Sequence, residues 1–363
     1  MDALRPRPQR PLLVTADLDL LDDVLRLGAA AGAEIEVAPD VTAALASWAT
    51  AAVVLVGGDL AEAAAGSRLP RRDDVVIVGT DLDDAGVWRR AVALGADHVV
   101  FLPDAESWLV DLLADAAEGR PRAAPLVGVL GGRGGAGATT LATALAVTGV
   151  RAGWRTLLVD ADPLGGGIDL MLGGESAGGL RWPELAGTRG RVSGTALHEA
   201  LPRVDELAVL SWDRGDALTI PPEAMAALLA AAERGSDLVV VDLPRRADDA
   251  ARCAMERASA VLLVVPAEVR AAAAAARVAT SAGLYCRDLR VVVRGPAPAG
   301  LPAQAVADSL GLPLAGVLKA EPGIAAALER GEPPARRGRG PLAAFCGSFL
   351  DDLLPPSGRP VAA

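Results

Sequence analysis

Short apolar runs alternate with amphipathic stretches through the first third of the chain. The apolar runs cover residues 11–16, 34–38, 51–57, 74–79 and 97–102. Runs of this length predict buried strands, and the amphipathic stretches between them predict helices, a combination that is typical of a doubly wound parallel sheet. We therefore expect a five-stranded α/β domain at residues 1–118.

A second and longer series of the same kind follows. Its apolar runs cover residues 126–131, 156–160, 206–211, 237–243, 260–266, 289–294 and 313–318. They predict an α/β domain at 126–354 with about seven strands in a mostly parallel sheet. Between the two series, GRPRAAP at 119–125 combines glycine, proline and charge, which predicts a linker. Residues 355–363 are left as a C-terminal tail.

The composition indicates a globular protein and limits its partners. Hydrophobic residues make up 52% of the 363 residues and charged residues 22%, which leaves ample apolar surface to bury. The net charge of −11 repels nucleic acid, so the composition disfavours nucleic acid as a partner. Lys319 is the one lysine among 35 basic residues, so any mechanism that needs a lysine has a single candidate.

The cysteines favour a reducing compartment, and the apolar runs disfavour a membrane segment. Cys253, Cys286 and Cys346 are widely spaced and predict neither a disulfide framework nor a zinc site. Since the sequence shows no signal-peptide core and no uninterrupted run of 18 apolar residues, we expect no transmembrane segment and a cytoplasmic location. Partners could still recruit the protein to the inner face of the membrane. Residues 341–354 are apolar on one side and predict a helix packed on the domain.

A glycine-rich segment, GGRGGAGATT at 131–140, follows the first strand of the second series. Against the phosphate-loop pattern G-x-x-x-x-G-K-[ST], Gly132 and Gly137 fill the glycine positions and Thr139 the hydroxyl position. Ala138 fills the lysine position. Backbone N–H groups and the following helix N-terminus can bind phosphate without a lysine, and a hydroxyl after the loop can coordinate magnesium. The sequence thus predicts a phosphate site at Gly132, Arg133, Gly134, Gly135, Ala136, Gly137, Ala138, Thr139 and Thr140.

Carboxylates follow two further strands of the same series. Asp160 and Asp162 lie at the end of one apolar run, and Asp242 lies near the end of another. Ligands of such sheets bind outside the carboxyl ends of the strands, so we expect these side chains to converge on the glycine-rich segment. Asp242 suits the water shell of a magnesium ion. We predict a metal site at Thr139, Asp160 and Asp242.

Residues 126–350 resemble the deviant-Walker ATPases of the MinD/ParA family, whose loop reads KGGxGKTT where this chain reads RGGAGATT. The resemblance implies ATP and Mg2+ as cofactors. It also implies that Arg133 replaces the signature lysine, which in that family reaches the partner's phosphates across a nucleotide-sandwich dimer. Asp162 then matches the residue that orients the attacking water, as the catalytic position.

The adenine pocket departs from the same family pattern. Many members end the strand before that pocket in an Asn-Arg pair, whereas this chain has Val293 and Arg294. The resemblance therefore implies Arg294 as a cofactor-binding residue and leaves adenine recognition open.

The first domain resembles a receiver domain of the two-component type. A receiver needs an aspartate at the end of its third strand and a lysine after its fifth. Here the third strand ends in Val56, Gly57 and Gly58, and FLPD at 101–104 carries no lysine. Asp59 is the remaining candidate phosphoacceptor. We expect a docking module without phosphotransfer.

The two halves together resemble the CpaE/TadZ branch of the MinD/ParA family more narrowly, whose actinobacterial members are called septum site-determining (Ssd) proteins. The lysine-lacking loop, VVDLPRR at 240–246 and VVPAEVR at 264–270 carry this resemblance. It implies an ATP-binding positioning protein that forms a homodimer and docks on partners in division or in pilus or secretion machinery. Because Ala138 replaces the lysine, we expect at most a weak ATPase. The alternatives are a nucleotide-free interaction scaffold and a ParA-like DNA-associated partition ATPase.

Overall fold

The computed structural model describes residues 10–117, 123–215 and 219–354. The chain divides into two compact units, Met1–Arg122 and Ala123–Ala363. The predicted tail at 355–363 and residues 119–122 of the predicted linker lie outside the described residues.

A parallel sheet with the strand order β2-β1-β3-β4-β5 forms the centre of the first unit. Its strands are β1 (Leu12–Val14), β2 (Glu36–Ala38), β3 (Val54–Gly57), β4 (Val75–Gly79) and β5 (His98–Phe101). Every residue of β1, β3 and β4 is buried. Strands that are covered by helices on both faces are apolar along their whole length, which explains why the predicted runs at 11–16, 51–57 and 74–79 contain these three strands.

Helices cover both faces of this sheet: α1 (Leu18–Ala31), α2 (Val41–Trp48), α3 (Ala61–Gly66), α4 (Val87–Leu94) and α5 (Glu106–Ala117). The carboxylate of Asp17 caps α1 by accepting from two N–H groups of its first turn. The helix ends at Gly32, whose φ of 66° is left-handed. One face of the sheet has its core around Trp48 and Ile77, and the other has a separate core.

The second unit contains a sheet with the order β13-β12-β11-β6-β10-β7-β9-β8. The strands are β6 (Leu126–Gly131), β7 (Thr156–Asp160), β8 (Arg203–Val204), β9 (Leu207–Leu210), β10 (Leu238–Leu243), β11 (Ala260–Pro266), β12 (Leu289–Arg294) and β13 (Leu314–Leu318). All neighbours pair in parallel except β8 and β9. The predicted fold class is confirmed. The expected seven strands become eight within the described residues, because the two-residue β8 is too short to show a periodicity.

Two layers of helices enclose the second sheet: α6 (Ala138–Arg151), α7 (Ile168–Leu172), α8 (Trp182–Leu185), α9 (Gly194–Ala200), α10 (Pro222–Gly235), α11 (Asp249–Arg257), α12 (Val269–Ala282), α13 (Ala303–Leu310), α14 (Ile324–Leu328) and α15 (Pro341–Leu353). One core contains α6 and α15, and the other contains α10, α11 and α12. α15 buries Leu342, Cys346, Phe349 and Leu350, as expected for a packed helix. Among the described residues, no helix is long and apolar enough to cross a membrane.

Candidate functional site

The strand order of the second unit brings a loop and two acidic strand ends to one edge of the sheet. β6 lies between β11 and β10, and β7 lies on the other side of β10. The register pairs Leu130 with Leu243 and Asp160 with Asp242. The loop at 131–137 therefore lies beside these carboxylates. In open α/β sheets, ligands bind at this edge.

The loop turns through glycines that adopt left-handed backbone angles. Gly135 has a φ of 68° and Gly137 a φ of 96°, values that residues with side chains rarely adopt. α6 begins directly afterwards at Ala138, so the free N–H groups of its first turn lie at the loop. Gly132 serves packing instead, because a Cβ there would lie 2.7 Å from the Cβ of Ala275 in α12.

A cavity of about 730 Å³ opens over the loop, a volume usual for small-molecule sites. Most of the predicted site residues line it: Arg133, Gly134, Gly135, Ala136, Gly137, Ala138, Thr139, Thr140, Asp162, Asp242 and Arg294. Gly132 and Asp160 do not belong to this lining. Residues that the sequence reasoning did not assign also line it, among them Pro163, Leu164, Pro244, Arg245, Arg246 and Asp248.

Asp242 and Thr139 form a hydrogen-bonded pair in the cavity wall. Asp242 is 4% exposed, and the hydroxyl of Thr139 donates to its carboxylate. Burial raises the pKa of Asp242 to about 8, and the Thr139 hydrogen bond opposes this rise. The charges of Asp160 and Asp162 raise the pKa further. A carboxylate in this environment gains from a nearby positive charge, so the pair can hold a divalent cation.

Asp160 accepts hydrogen bonds from donors of its own chain. These donors are the N–H groups of Asp162 and Ile168, each at 3.2 Å, and the hydroxyl of Ser211 at 3.3 Å. The side chain is buried, and burial raises its pKa to about 7 against the effect of these hydrogen bonds. The geometry therefore gives no support to the predicted metal role of Asp160. Its carboxylate instead fixes the loop at 161–167.

Asp162 extends into the cavity from that loop. Its carboxylate accepts from the N–H of Leu164 at 3.0 Å, and its backbone oxygen accepts from the N–H of Gly165 at 3.0 Å. An ionised carboxylate has further acceptor positions, so Asp162 can also accept a hydrogen bond from water.

Arginines provide the positive charge around the cavity. Nη2 of Arg133 lies 2.8 Å from Oε1 of Glu268. Arg294 lies against the loop, since a Cβ on Gly137 would be 3.1 Å from its Nη1. The sequence reasoning missed Arg245 and Arg246, which follow β10 after Pro244. Their position shortly after Asp242 in the sequence could have indicated a role at the site. That inference, however, requires knowing that β10 lies beside β6.

A second cavity of about 380 Å³ is lined by some of the same residues, including Gly137, Thr140 and Arg294. Its other lining residues come mainly from the ends of β12 and β13 and from α14, and Pro296 and Leu318 are among them. An apolar cavity that adjoins a polar loop suits the flat ring system of a ligand.

The corresponding edge of the first unit is arranged differently. Asp59 accepts hydrogen bonds from the hydroxyl of Thr15 at 2.9 Å and from the N–H groups of Ala16 and Asp17 at 2.8 and 3.2 Å. The cavity beside it measures about 160 Å³. Donors of the same chain thus occupy the carboxylate that was the candidate phosphoacceptor.

Comparison with known proteins shows the family. Residues 14–124 match the model of the Rv3660c-like, CheY-like N-terminal domain. Over 290 residues the chain is 44% identical to protein Rv3660c of Mycobacterium tuberculosis, a match that covers 78% of this chain and 81% of the relative. The chain belongs to the Rv3660c family. The receiver-like fold expected for the first domain agrees with this CheY-like match.

The solved structures that are similar to this Rv3660c-family chain include MinD/ParA ATPases. A ParA family ATPase from Chlorobium tepidum has a TM-score of 0.56 at 15% identity, covering 63% of this chain and 98% of its own. The septum site-determining protein MinD from Pyrococcus horikoshii, complexed with Mg-ADP, has a TM-score of 0.50 at 17% identity, covering 65% of this chain and 98% of its own. At these identities the likeness shows the fold, which confirms the resemblance to the MinD/ParA family at that level.

Proposed function

We propose that this Rv3660c-family chain binds ATP with magnesium and works as a nucleotide-dependent positioning protein. The observation that carries the proposal is the meeting of the loop at 131–137 with the Thr139–Asp242 pair at one cavity. Backbone N–H groups and the N-terminus of α6 suit phosphate oxygens. The buried pair suits the cation that accompanies them. The MinD structure that contains Mg-ADP supports this use of the same fold.

Thr139 and Asp242 would hold the magnesium ion in this proposal. The fit rests on their chemistry: a hydroxyl and a carboxylate are hard oxygen ligands, and burial makes a positive charge favourable beside Asp242. When bound, the ion neutralises charge on the phosphates. Asp160 would stay out of the metal site and hold the loop that carries Asp162.

Turnover would be slow or absent. Ala138 lines the cavity but has no charged group to place on the phosphates, and loss of one such electrostatic contact typically costs on the order of 100-fold in rate. Asp162, which lines the same cavity, would orient water in any residual hydrolysis. The cavity beside β12 and β13 would take the base, with Arg294 at its boundary.

Nucleotide state would control a homodimer and, through it, the docking of protein partners in division or in pilus or secretion machinery, as in the CpaE/TadZ and Ssd proteins that the chain resembles. Two features of the cavity rim support contact with another protein surface. Leu164 beside Asp162 is 86% exposed, and the Arg133–Glu268 pair is partly exposed and so accessible to a partner.

Calorimetric titration of the full chain with ATP tests the proposal. Binding should require magnesium for full affinity, and it should be much weaker for adenosine than for ATP, because the loop binds phosphate. Magnesium-dependent dimerisation, measured by light scattering on the same samples, tests the positioning mechanism. Absence of binding for ATP and ADP would instead favour the nucleotide-free scaffold.

A further inference from the structure

We propose that Arg245 supplies the phosphate-binding charge that a lysine supplies in the usual phosphate loop. The inference rests on the proposed function and names a phosphate-binding residue for the same site. A standard loop lysine reaches the β- and γ-phosphates from the first turn of the helix. Here that turn offers the methyl group of Ala138, so the compensating charge must come from another element.

Two of the other arginines that line the cavity have contacts of their own. Arg133 is paired with Glu268, and the carboxylate offsets its charge. Arg294 lies against Gly137 at the end of the loop and lines both cavities, which places it between the loop and the second cavity.

Arg245 lies over the loop itself. Its Nη1 is 4.0 Å from the position that a Cβ on Gly134 would occupy. Because β10 pairs with β6 up to Leu243 and Leu130, the residues after Leu243 necessarily lie beside the residues after β6. Because Gly134 lacks a side chain, the guanidinium and the backbone N–H groups of the loop can donate to the same phosphate.

The guanidinium of Arg245 is also available to a ligand. The residue is exposed and forms no ion pair within the part of the chain that the structure describes. Asp242 and Asp248 are the nearest acidic residues along the chain. Asp242 is buried and accepts from the Thr139 hydroxyl, and Asp248 uses its carboxylate to cap α11 through the N–H of Ala251 at 2.8 Å. A planar guanidinium can bind two phosphate oxygens at once, and it stays charged at any physiological pH.

Arg245 lies close to Asp242 in the sequence, whereas a loop lysine would lie on a different element from Asp242. Arg245 lies three residues after Asp242, so one strand end would contribute both the carboxylate for the cation and the positive charge for the phosphates. A lysine on α6 would divide these two tasks between two elements.

Titration of the full chain with MgATP tests the inference through a matched pair of variants. Arg245→Ala should weaken ATP binding by about ten-fold or more, since charge-assisted hydrogen bonds are the strong ones, and ADP binding should fall less. Arg277→Ala removes an exposed charge from α12 outside the cavity and should leave affinity unchanged. Equal melting temperatures of the variants and the unaltered chain would show that folding is intact.

A compensating substitution makes the test specific. Ala138→Lys should restore MgATP affinity to the Arg245→Ala variant, and it should add little to the unaltered chain because the two positive charges would repel. Unchanged binding by Arg245→Ala, or a loss that Ala138→Lys does not recover, would overturn the inference.

Inorganic tripolyphosphate separates this inference from the proposed function. If the unaltered chain binds tripolyphosphate but not ATP, the nucleotide proposal fails, while loss of tripolyphosphate binding in Arg245→Ala still supports the inference. Binding of neither ligand by the unaltered chain would overturn both.

Discussion

The two sheets of the molecule differ in what surrounds a carboxylate at their strand ends. In the first unit, Asp59 is occupied by a hydroxyl and two N–H groups of its own chain, beside a cavity of about 160 Å³. In the second unit, Asp242 is buried in the wall of a cavity of about 730 Å³, and burial raises its pKa to about 8. The same parallel architecture thus closes one edge with its own groups and leaves the other open to a ligand.

Glycines make both outcomes possible. A Cβ on Gly57 would lie 2.2 Å from Oδ1 of Asp59 and 2.7 Å from the Thr15 hydroxyl, so this glycine admits the chain's own side chains. A Cβ on Gly135 would meet nothing within 4 Å, so this glycine leaves its surroundings open. The glycine itself therefore does not decide whether the edge of a sheet binds a ligand. The groups that fill the space beside the glycine decide it.

The strongest test of this contrast is a pair of aspartate substitutions, one at each edge. Asp242→Ala should weaken magnesium-dependent ATP binding by about 10- to 100-fold, because even residues that only orient the ligands of a metal contribute on this scale. Asp59→Ala should leave ATP binding unchanged and lower the melting temperature, because three donors lose their acceptor. Calorimetry and thermal melting on both variants measure these effects.

Asp162→Ala refines the same test within the second unit. Since its proposed task is to orient water, this variant should keep ATP affinity near that of the unaltered chain and lose any residual hydrolysis, measured as phosphate release. Equal loss of ATP affinity in Asp162→Ala and Asp242→Ala would contradict this division of roles.

The loop glycines allow a smaller test with a matched backbone. Gly137 and Gly153 have φ values of 96° and 85°, so an alanine at either position is strained to a similar degree. An added Cβ at Gly137 would also come within 3.1 Å of Arg294, whereas one at Gly153 would meet nothing within 4 Å. We expect Gly137→Ala to bind MgATP about ten-fold more weakly and Gly153→Ala to bind it as the unaltered chain does. Thermal melting should show similar destabilisation of both variants.

Because Asp160 is buried, we expect the stability of the second unit to depend on pH. Its pKa rises from 3.8 to about 7 on folding, so the folded state binds the proton more tightly. The stabilisation is therefore present at low pH and is lost as pH rises through this interval. Between pH 5 and pH 8, without nucleotide, this group should lower the melting temperature by about 5 °C.

Asp160→Asn removes that contribution, together with the Asp160 charge that raises the pKa of Asp242. An amide cannot ionise in this range, so the variant should show a flatter dependence of melting temperature on pH, whatever its absolute stability. The same slope in the variant and the unaltered chain would show that other groups are responsible.

The smallest expected effect concerns phosphotransfer at the first unit. Incubation of the full chain with a small phosphodonor should add no phosphate to Asp59, since hydrogen bonds already occupy both of its oxygens. Intact-mass measurement checks this. A phosphate that is present in the unaltered chain and absent from Asp59→Ala would remove the contrast between the two edges.

Much of the fold was predictable because parallel strands between two helix layers are continuously apolar. The bounds of β6, β7, β11 and β12 coincide with the apolar runs for this reason. β8 was not predictable, since two residues carry no period.

The candidate site was predictable where its residues are consecutive. The loop at 131–140 follows a known spacing, so most of its members were found. The contact of Arg133 with Glu268 joins residues 135 positions apart, and the position of Arg245 over Gly134 depends on strand order. Such pairs arise from tertiary packing, which local pattern does not encode.

Cys346 gives the C-terminal helix a chemical reporter of its own motion. Its thiol is buried in α15, and burial raises its pKa to about 12, whereas Cys253 and Cys286 are half-buried. The reactive thiolate is therefore almost absent at Cys346 while the helix stays in place. The rate at which an alkylating reagent labels this thiol would measure how often α15 opens from the domain, and a change in that rate on adding a ligand would reveal coupling between the helix and the site.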